Sequence, residues 1–193
     1  MMVLKKIIRR IIRLLEVYPF LVRNIYMSLQ LHAFEKTIID GFIYRAFKLN
    51  DYNNLEKIYS KIHGGRKLRW HLKLLYALFG SKYAVIVEND KRDKTAGFIL
   101  FYFNKNDRKN NTIHGFSMGV DPLSQGFGIG TNMMKLAGQH FIQNGLAGIT
   151  AKVAKKNIAS LKVVEKQGFK ILNKFDLASK GEEWYYLEWL FDE

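Results

Sequence analysis

The sequence contains no cysteine, which excludes a disulfide framework, a thiolate nucleophile and a zinc site with cysteine ligands. It also lacks any run of roughly eighteen uncharged apolar residues, so we expect no membrane-spanning helix. The charged start of the chain lacks the apolar core and the small-residue cleavage site of a signal peptide. These absences predict a cytoplasmic protein, either soluble or peripheral to the inner face of the membrane.

Hydrophobic and basic residues are abundant. Hydrophobic residues make up 48% of the 193 positions, which suffices for one packed core and argues against a disordered chain. Residues 1–80 hold 15 Lys/Arg against 5 Asp/Glu, whereas residues 81–193 hold 16 against 12. The positive excess in the first part favours an anionic partner there, although a solvated basic face explains it equally well.

Residues 4–15, LKKIIRRIIRLL, have the pattern of a cationic amphipathic helix, which we expect Pro19 to end or kink. A less polar, helix-like segment then runs from residue 20 to a stop at Gly41. An anionic membrane surface is one candidate partner for residues 1–19. The alternative is packing on the rest of the chain or on a second copy, which would make a dimer. No recognised nucleic-acid-binding motif accompanies the basic residues.

From residue 42 onward the pattern changes to strands and helices. Alternating or apolar runs predict strands at residues 42–49, 82–88, 95–103 and 112–120. Two helical segments lie between the first and second of these strands, one starting at a cap at Asn50 or Asp51 and the other ending at Gly80. We therefore expect a helical extension over residues 1–41 and an α/β domain over residues 42–193.

Three glycines at alternating positions, Gly126, Gly128 and Gly130, stand between a predicted strand and a predicted helix. A helix start offers unpaired backbone N–H groups, and residues without a Cβ let a large anion approach them. The stretch lacks the Lys-Ser/Thr pair of a nucleoside-triphosphate loop and the spacing of a dinucleotide fingerprint. The glycines therefore predict an anion cradle, with a flexible turn as the structural alternative.

In this context Gln125, Gly128 and Gly130 resemble the first signature of the GNAT acyltransferases, N-acetyltransferases that use acetyl-CoA. A second stretch, NIASLKVVEKQGFK, is similar to another signature of the family through Asn157 and the Gly168–Phe169 pair. The resemblance covers roughly residues 42–191. It implies a mixed, splayed α/β sheet flanked by helices, with CoA in the cleft between the fourth and fifth strands of the family's sheet.

The resemblance also implies a set of ligand-binding residues. Backbone groups of Met118, Gly119 and Val120 would pair with the pantetheine arm, and Asn157 and Ser160 would approach it from the other side. The diphosphate would be held by the backbone amides of Gln125, Gly126, Phe127, Gly128, Ile129, Gly130 and Thr131.

Candidates for the chemistry are fewer. Counting back along the fourth strand of the family places His114 where some members carry a base, and Glu88 is a second candidate base. The backbone N–H of Val120 is the implied oxyanion donor. The place of the family's usual tyrosine acid is taken by Val164, so Tyr185, Tyr186 or water would have to replace it.

No metal site is predicted, because His63 and His71 are too far apart for one helical face and have glycines between them. The sequence thus predicts an N-acetyltransferase that moves an acetyl group from acetyl-CoA to a primary amine of a small molecule such as an amino sugar. The alternatives are an acyl-CoA-binding module without catalysis and a peripheral membrane acyltransferase with a carrier- or lipid-linked acceptor.

Overall fold

The computed structural model describes residues 16–89, 94–177 and 181–191. Its strands are β1 (Thr37–Ile39), β2 (Phe42–Ala46), β3 (Ala84–Asn89), β4 (Lys94–Tyr102), β5 (Thr112–Val120), β6 (Gly148–Ala154), β7 (Lys170–Leu177) and β8 (Glu182–Leu190). Its helices are α1 (16–28), α2 (Tyr52–Ile62), α3 (Trp70–Tyr83), the short α4 (Asp107–Asn110), α5 (Ile129–Gln143) and α6 (Ile158–Lys166). In the described part of the chain, no helix has the length and hydrophobicity needed to cross a bilayer.

All eight strands form one mixed sheet in the order β1-β2-β3-β4-β5-β6-β8-β7. Every neighbouring pair is antiparallel except β5 and β6, which run parallel. That parallel pairing covers only residues 112–115 of β5 against residues 148–151 of β6. The sheet is therefore splayed at its centre, and the predicted fold class is confirmed.

Helices cover both faces of the sheet because its central strands are apolar on both sides. On one face Tyr59 of α2 packs against Phe98 of β4, with ring centroids 6.4 Å apart. On the other face Phe141 of α5 meets Phe101 of the same strand edge-on at 4.8 Å. Phe98, Phe101 and Phe141 are fully buried, so β4 lies at the centre of the hydrophobic core.

The N-terminal part differs from its prediction. Pro19 lies inside α1, so the helix does not end at that residue, and the helical interpretation is wrong at residues 37–39, which form β1 and pair with β2. A boundary at residue 41 therefore falls between two paired strands. The predicted amphipathic helix over residues 4–15 lies outside the described residues.

Candidate functional site

The gap between β5 and β6 holds a cavity of about 730 Å³. The two strands separate after residue 115 of β5. The cavity occupies the space beside residues 116–120, which pair with β4 but no longer with β6. Its walls are formed by Ile62, His63, Phe116, Ser117, Met118, Gly119, Val120, Ser124, Gln125, Gly126, Gly128, Ile129, Gly130, Thr131, Lys152, Val153, Ala154, Asn157, Ala159, Ser160, Val163 and Trp184. These residues come from both signature stretches of the sequence, which the fold brings to one place.

One wall of this cavity is an unpaired strand edge. The amide of Asp121 donates to Ala96 O on the β4 side at 2.8 Å, and backbone groups alternate between the two edges along a strand. The N–H and C=O of Val120 and Met118 therefore point toward the cavity. Gln125 Nε2 reaches Val120 O from the cavity side at 3.4 Å. The edge can pair with an extended ligand as a further strand would.

At one end of the cavity, helix α5 begins without a side-chain cap. Gly128 at the N-cap has φ of 71° and Gly126 has φ of 87°, the left-handed conformation that favours glycine. The first helical bond runs from Asn132 N to Gly128 O at 2.9 Å. The amides of residues 129–131 consequently find no acceptor in the described part of the chain. Such a helix start attracts anions, phosphate above all.

Phe127 is the exception within this glycine-rich turn. Its side chain is 61% exposed, does not line the cavity, and stands 5.8 Å from the ring of Phe42. Only its backbone can take part in the cradle.

The opposite wall is the start of α6. Asn157 Oδ1 accepts a hydrogen bond from Ser160 N at 3.2 Å, which caps the helix and orients both residues at the cavity. Helix α5 packs against this wall, since a Cβ at Gly130 would lie in ordinary van der Waals contact with Val163 Cγ2, at 3.4 Å. Val164, in the place of the family's usual acid, is buried and is not among the lining residues.

The far end of the cavity holds a pair that the sequence analysis missed. His63 Nε2 lies 3.0 Å from Ser117 Oγ, and the ring of Tyr59 packs on the imidazole at 4.2 Å. His63 follows the last turn of α2, whereas Ser117 belongs to the open part of β5. Residues 54 positions apart give no local signal, so only knowledge of how α2 crosses the sheet would have revealed this pair.

The structure does not bring His114 to this cavity. It lies in the paired part of β5, is 4% exposed, and its Nδ1 is 2.9 Å from Thr150 Oγ1 on β6. Burial lowers the pKa of His114 to about 3, with the positive charge of Lys152 as a second cause. The structure thus places the predicted base in the core and not in the cavity, and an enclosed imidazole with so low a pKa is poorly placed to receive a substrate proton.

Glu88 is also placed away from the cavity. Its carboxylate pairs with the guanidinium of Arg45, which bonds the Asp51 carboxylate as well, at 2.7 Å. Asp51, one of the two predicted helix caps, makes no side-chain bond to the start of α2. These three side chains hold β2, β3 and the entry to α2 together, so the candidate base on β3 is a structural ion-pair partner.

A second, smaller cavity of about 410 Å³ opens beside Lys152, which lines both cavities. The remaining residues of its lining are Asn104, Lys105, Asn106, Asn173, Phe175 and Tyr186. The Lys152 ammonium lies over the rings of Phe175 and Tyr186, at 5.7 and 5.9 Å. Among the described residues that line the two cavities there is no aspartate or glutamate. Within residues 16–89, 94–177 and 181–191, no three His, Asp or Glu side chains converge on a metal position.

An unpaired strand edge that leads to the bare amides of a helix start defines a site for an extended ligand ending in phosphate. The chain belongs to the GNAT acetyltransferase family, whose model matches residues 52–169. The resemblance seen in the sequence is thereby confirmed.

Solved structures with the same fold cover most of this chain. Ard1 from Thermoplasma volcanium has a TM-score of 0.67 at 15% identity over 79% of this chain and 99% of its own. The yncA protein of Salmonella typhimurium, a putative acetyltransferase solved with acetyl-CoA, has a TM-score of 0.65 at 17% identity over 80% and 96%. The ribosomal-protein-S18-alanine N-acetyltransferase of Escherichia coli has a TM-score of 0.62 at 16% identity over 79% and 95%. A search of curated proteins found no significant match.

Proposed function

We propose that this chain transfers an acetyl group from acetyl-CoA to the primary amine of a small molecule. The observation that carries the proposal is the continuity of one cavity, from the bare amides of residues 129–131, along the unpaired edge of β5, to the His63–Ser117 pair. A thioester carrier needs each of these parts in this order: an anion site, a strand edge and a proton acceptor. The Salmonella structure, with the same fold, holds acetyl-CoA.

In this proposal the amides of residues 126–131 bind the diphosphate of the donor. Backbone groups of Met118 and Val120 pair with the pantetheine arm, while Asn157 and Ser160 approach it from the start of α6. The thioester carbonyl then lies at the N–H of Val120, which faces the cavity and can donate to the oxyanion that forms during attack.

We assign the proton acceptor to His63. The ammonium of the acceptor first gives a proton to His63, directly or through Ser117 or a water, which frees the lone pair of the nitrogen. The amine nitrogen then bonds to the thioester carbonyl carbon, the C–S bond breaks, and the second proton of the nitrogen passes to solvent. Because Val164 supplies no acid, the CoA sulfur leaves as a thiolate and is protonated by solvent. Tyr186 lines only the second cavity and Tyr185 lines neither, so neither stands as a direct replacement.

The second cavity supports a polar acceptor that enters beside Lys152. The carboxamides of Asn104, Asn106 and Asn173 can both donate to and accept from hydroxyl groups, and the rings of Phe175 and Tyr186 offer apolar faces. An amino sugar suits this lining, because it has hydroxyl groups for the carboxamides and apolar C–H faces for the rings. The positive charge of Lys152, which lines both cavities, disfavours polycationic amines.

The test is release of the CoA thiol from acetyl-CoA across a panel of amino sugars, amino acids and polyamines. We expect release with amino sugars, an N-acetyl product by mass spectrometry, and little release with polyamines. Binding of acetyl-CoA without release for any amine would contradict the proposal and leave a binding module. If the chain does not bind acetyl-CoA at all, the assignment of acetyl-CoA as the donor is wrong.

A further inference from the structure

Helix α1 presents an apolar face to solvent. Five large hydrophobic side chains share this outward face of α1 and the turn that follows it: Tyr18 (72% exposed), Val22 (48%), Ile25 (39%), Tyr26 (49%) and Leu29 (71%). Their spacing of three or four residues is that of one helical stripe. We call these five residues the α1 surface. Contiguous exposed apolar surface of this kind usually marks an interaction site.

The inward face of α1 fixes this orientation. Asn24 is fully buried and pairs with the backbone of Phe103: Phe103 N donates to Asn24 Oδ1 at 2.8 Å, and Asn24 Nδ2 donates to Phe103 O at 3.1 Å. Tyr83 Oη donates to Asn24 O at 2.6 Å, and Lys82 Nζ donates to Ser28 O at 2.7 Å. Rolling the helix to bury its apolar face would leave these buried polar groups unpaired, which is strongly unfavourable.

Positive charge borders the α1 surface. The guanidinium of Arg108 in α4 lies 5.0 Å from the ring centroid of Tyr26, and Lys105 and Lys109 in the same β4–β5 connection are exposed. Within residues 16–28 the sole carboxylate is that of Glu16.

The sequence upstream continues both features. Leu4, Ile8, Ile11 and Leu15 precede Tyr18 at the same spacing of three and four, and residues 1–15 contain five Lys/Arg and no Asp/Glu. The apolar stripe and the positive charge thus extend together beyond α1 in the sequence pattern.

We propose that the α1 surface docks on an anionic lipid bilayer, with its apolar side chains at the acyl boundary and the bordering cations at the headgroups. Apolar residues flanked by Lys/Arg suit such an interface, since anionic lipids attract basic residues near the membrane surface. Charge favours this occupant over a second copy of the chain, because self-association through the α1 surface would bring together the cations that border it in each copy, Arg108, Lys105 and Lys109. The inference does not rest on the proposed acetyl transfer.

Docking in this way would place the second cavity near the bilayer. The connection between β4 and β5, whose helix α4 carries Arg108 against Tyr26, also supplies Asn104 and Asn106 to that cavity.

The test is co-sedimentation of the full chain with vesicles of phosphatidylglycerol and phosphatidylcholine, compared with phosphatidylcholine alone. A double variant, Val22→Gln/Leu29→Gln, removes apolar area from the α1 surface without changing charge or helix propensity greatly. Leu172→Gln is the matched control, because Leu172 is 54% exposed on β7 at the far edge of the sheet. Thermal unfolding verifies that each variant is folded.

We expect the wild-type chain and Leu172→Gln to bind the anionic vesicles, more weakly as salt rises, and the double variant to bind about tenfold less. Equal binding of all three proteins to anionic vesicles would overturn the proposal, as would absence of binding by the wild-type chain. A dimer in sedimentation velocity that the double variant abolishes, without vesicle binding, would assign the surface to a second copy instead.

Discussion

The two halves of strand β5 have opposite roles although β4 pairs with both. Residues 112–115 also pair with β6, whereas residues 116–120 face the cavity where β6 has turned away. In the closed half His114 is enclosed and bonded to Thr150, and in the open half Ser117 is bonded to His63 on the cavity wall. One strand therefore carries a sealed core at one end and a ligand-binding edge at the other.

The difference follows from where polar groups find partners. In the closed half, backbone groups on both edges and the His114 side chain are satisfied within the protein, so a change there acts on the free energy of unfolding. In the open half, the groups of Met118 and Val120 face the cavity, so a change there acts on ligand binding or turnover. Substitutions of His114, in the closed half, and His63, beside the open half, distinguish these two roles most directly.

The largest expected effect is on turnover. His63→Ala should lower kcat by about 100-fold, because it removes the proposed proton acceptor, while the Kd for acetyl-CoA stays nearly unchanged. His114→Asn should leave kcat within about threefold, since His114 does not reach the cavity. Steady-state kinetics with the best amine, and calorimetry with acetyl-CoA, measure the two quantities.

The pH profile supplies a control for the same pair. If His63 is the acceptor, the acidic limb of the wild-type kcat/KM profile should vanish or shift in His63→Gln and persist in His114→Asn. If the acidic limb instead persists in His63→Gln and vanishes in His114→Asn, His114 is the base, and the role proposed for the open half of β5 is contradicted.

The next effect concerns stability in mild acid. His114, with a folded pKa of about 3, stays neutral while the unfolded chain binds a proton near the ordinary histidine pKa of about 6.5. Because the unfolded state binds more protons between these values, stability falls as pH is lowered through 6.5. At pH 5 this amounts to about 2 kcal/mol for this one group relative to neutral pH.

His140 contributes in the same direction, since burial lowers its pKa to about 4. Urea unfolding at pH 7 and pH 5 measures the loss, and His114→Asn should lose about 2 kcal/mol less than the wild-type chain between the two. An identical pH dependence in both proteins would show that the histidine of the closed half is not held neutral.

The existence of β5 and of the glycine turn was predictable from the sequence, but the residue at which β5 stops pairing with β6 was not. The run TIHGFSMGV predicts β5 with its observed bounds, and the glycines at 126, 128 and 130 predict the turn that leads into α5, where the anion cradle is proposed. These are local patterns of alternation and backbone freedom. The place where β6 turns away depends on the register between strands distant in sequence, which no local pattern records.

The same dependence on contacts between distant segments explains why His114 and Glu88 were predicted at the site and the His63–Ser117 pair was missed. His114 alternates correctly along β5, yet only the pairing with β6 shows that it lies opposite Thr150. His63 and Ser117 meet through the crossing of α2 over the sheet, and Arg45 captures Glu88 through the pairing of β2 with β3. In the N-terminal part, residues 37–39 form an edge strand in a stretch that also fits a helix.

The smallest of the three effects tests the cradle at the end of the open half, and helix α5 supplies its own control. Gly128 before the helix and Gly145 after it have φ of 71° and 72°, and a Cβ at either would meet nothing within 4 Å. Valine at either position should therefore destabilise the fold by the same amount, about 1–2 kcal/mol for a left-handed conformation.

Of these two glycines, only Gly128 lines the cavity. Relief of strain there should displace the amides of residues 129–131 and weaken acetyl-CoA binding about tenfold by calorimetry, whereas Gly145→Val should bind as the wild-type chain does. Equal loss of affinity in both variants would mean that binding follows overall stability and not the geometry of the helix start, and the open edge of β5 would then lack its anion site.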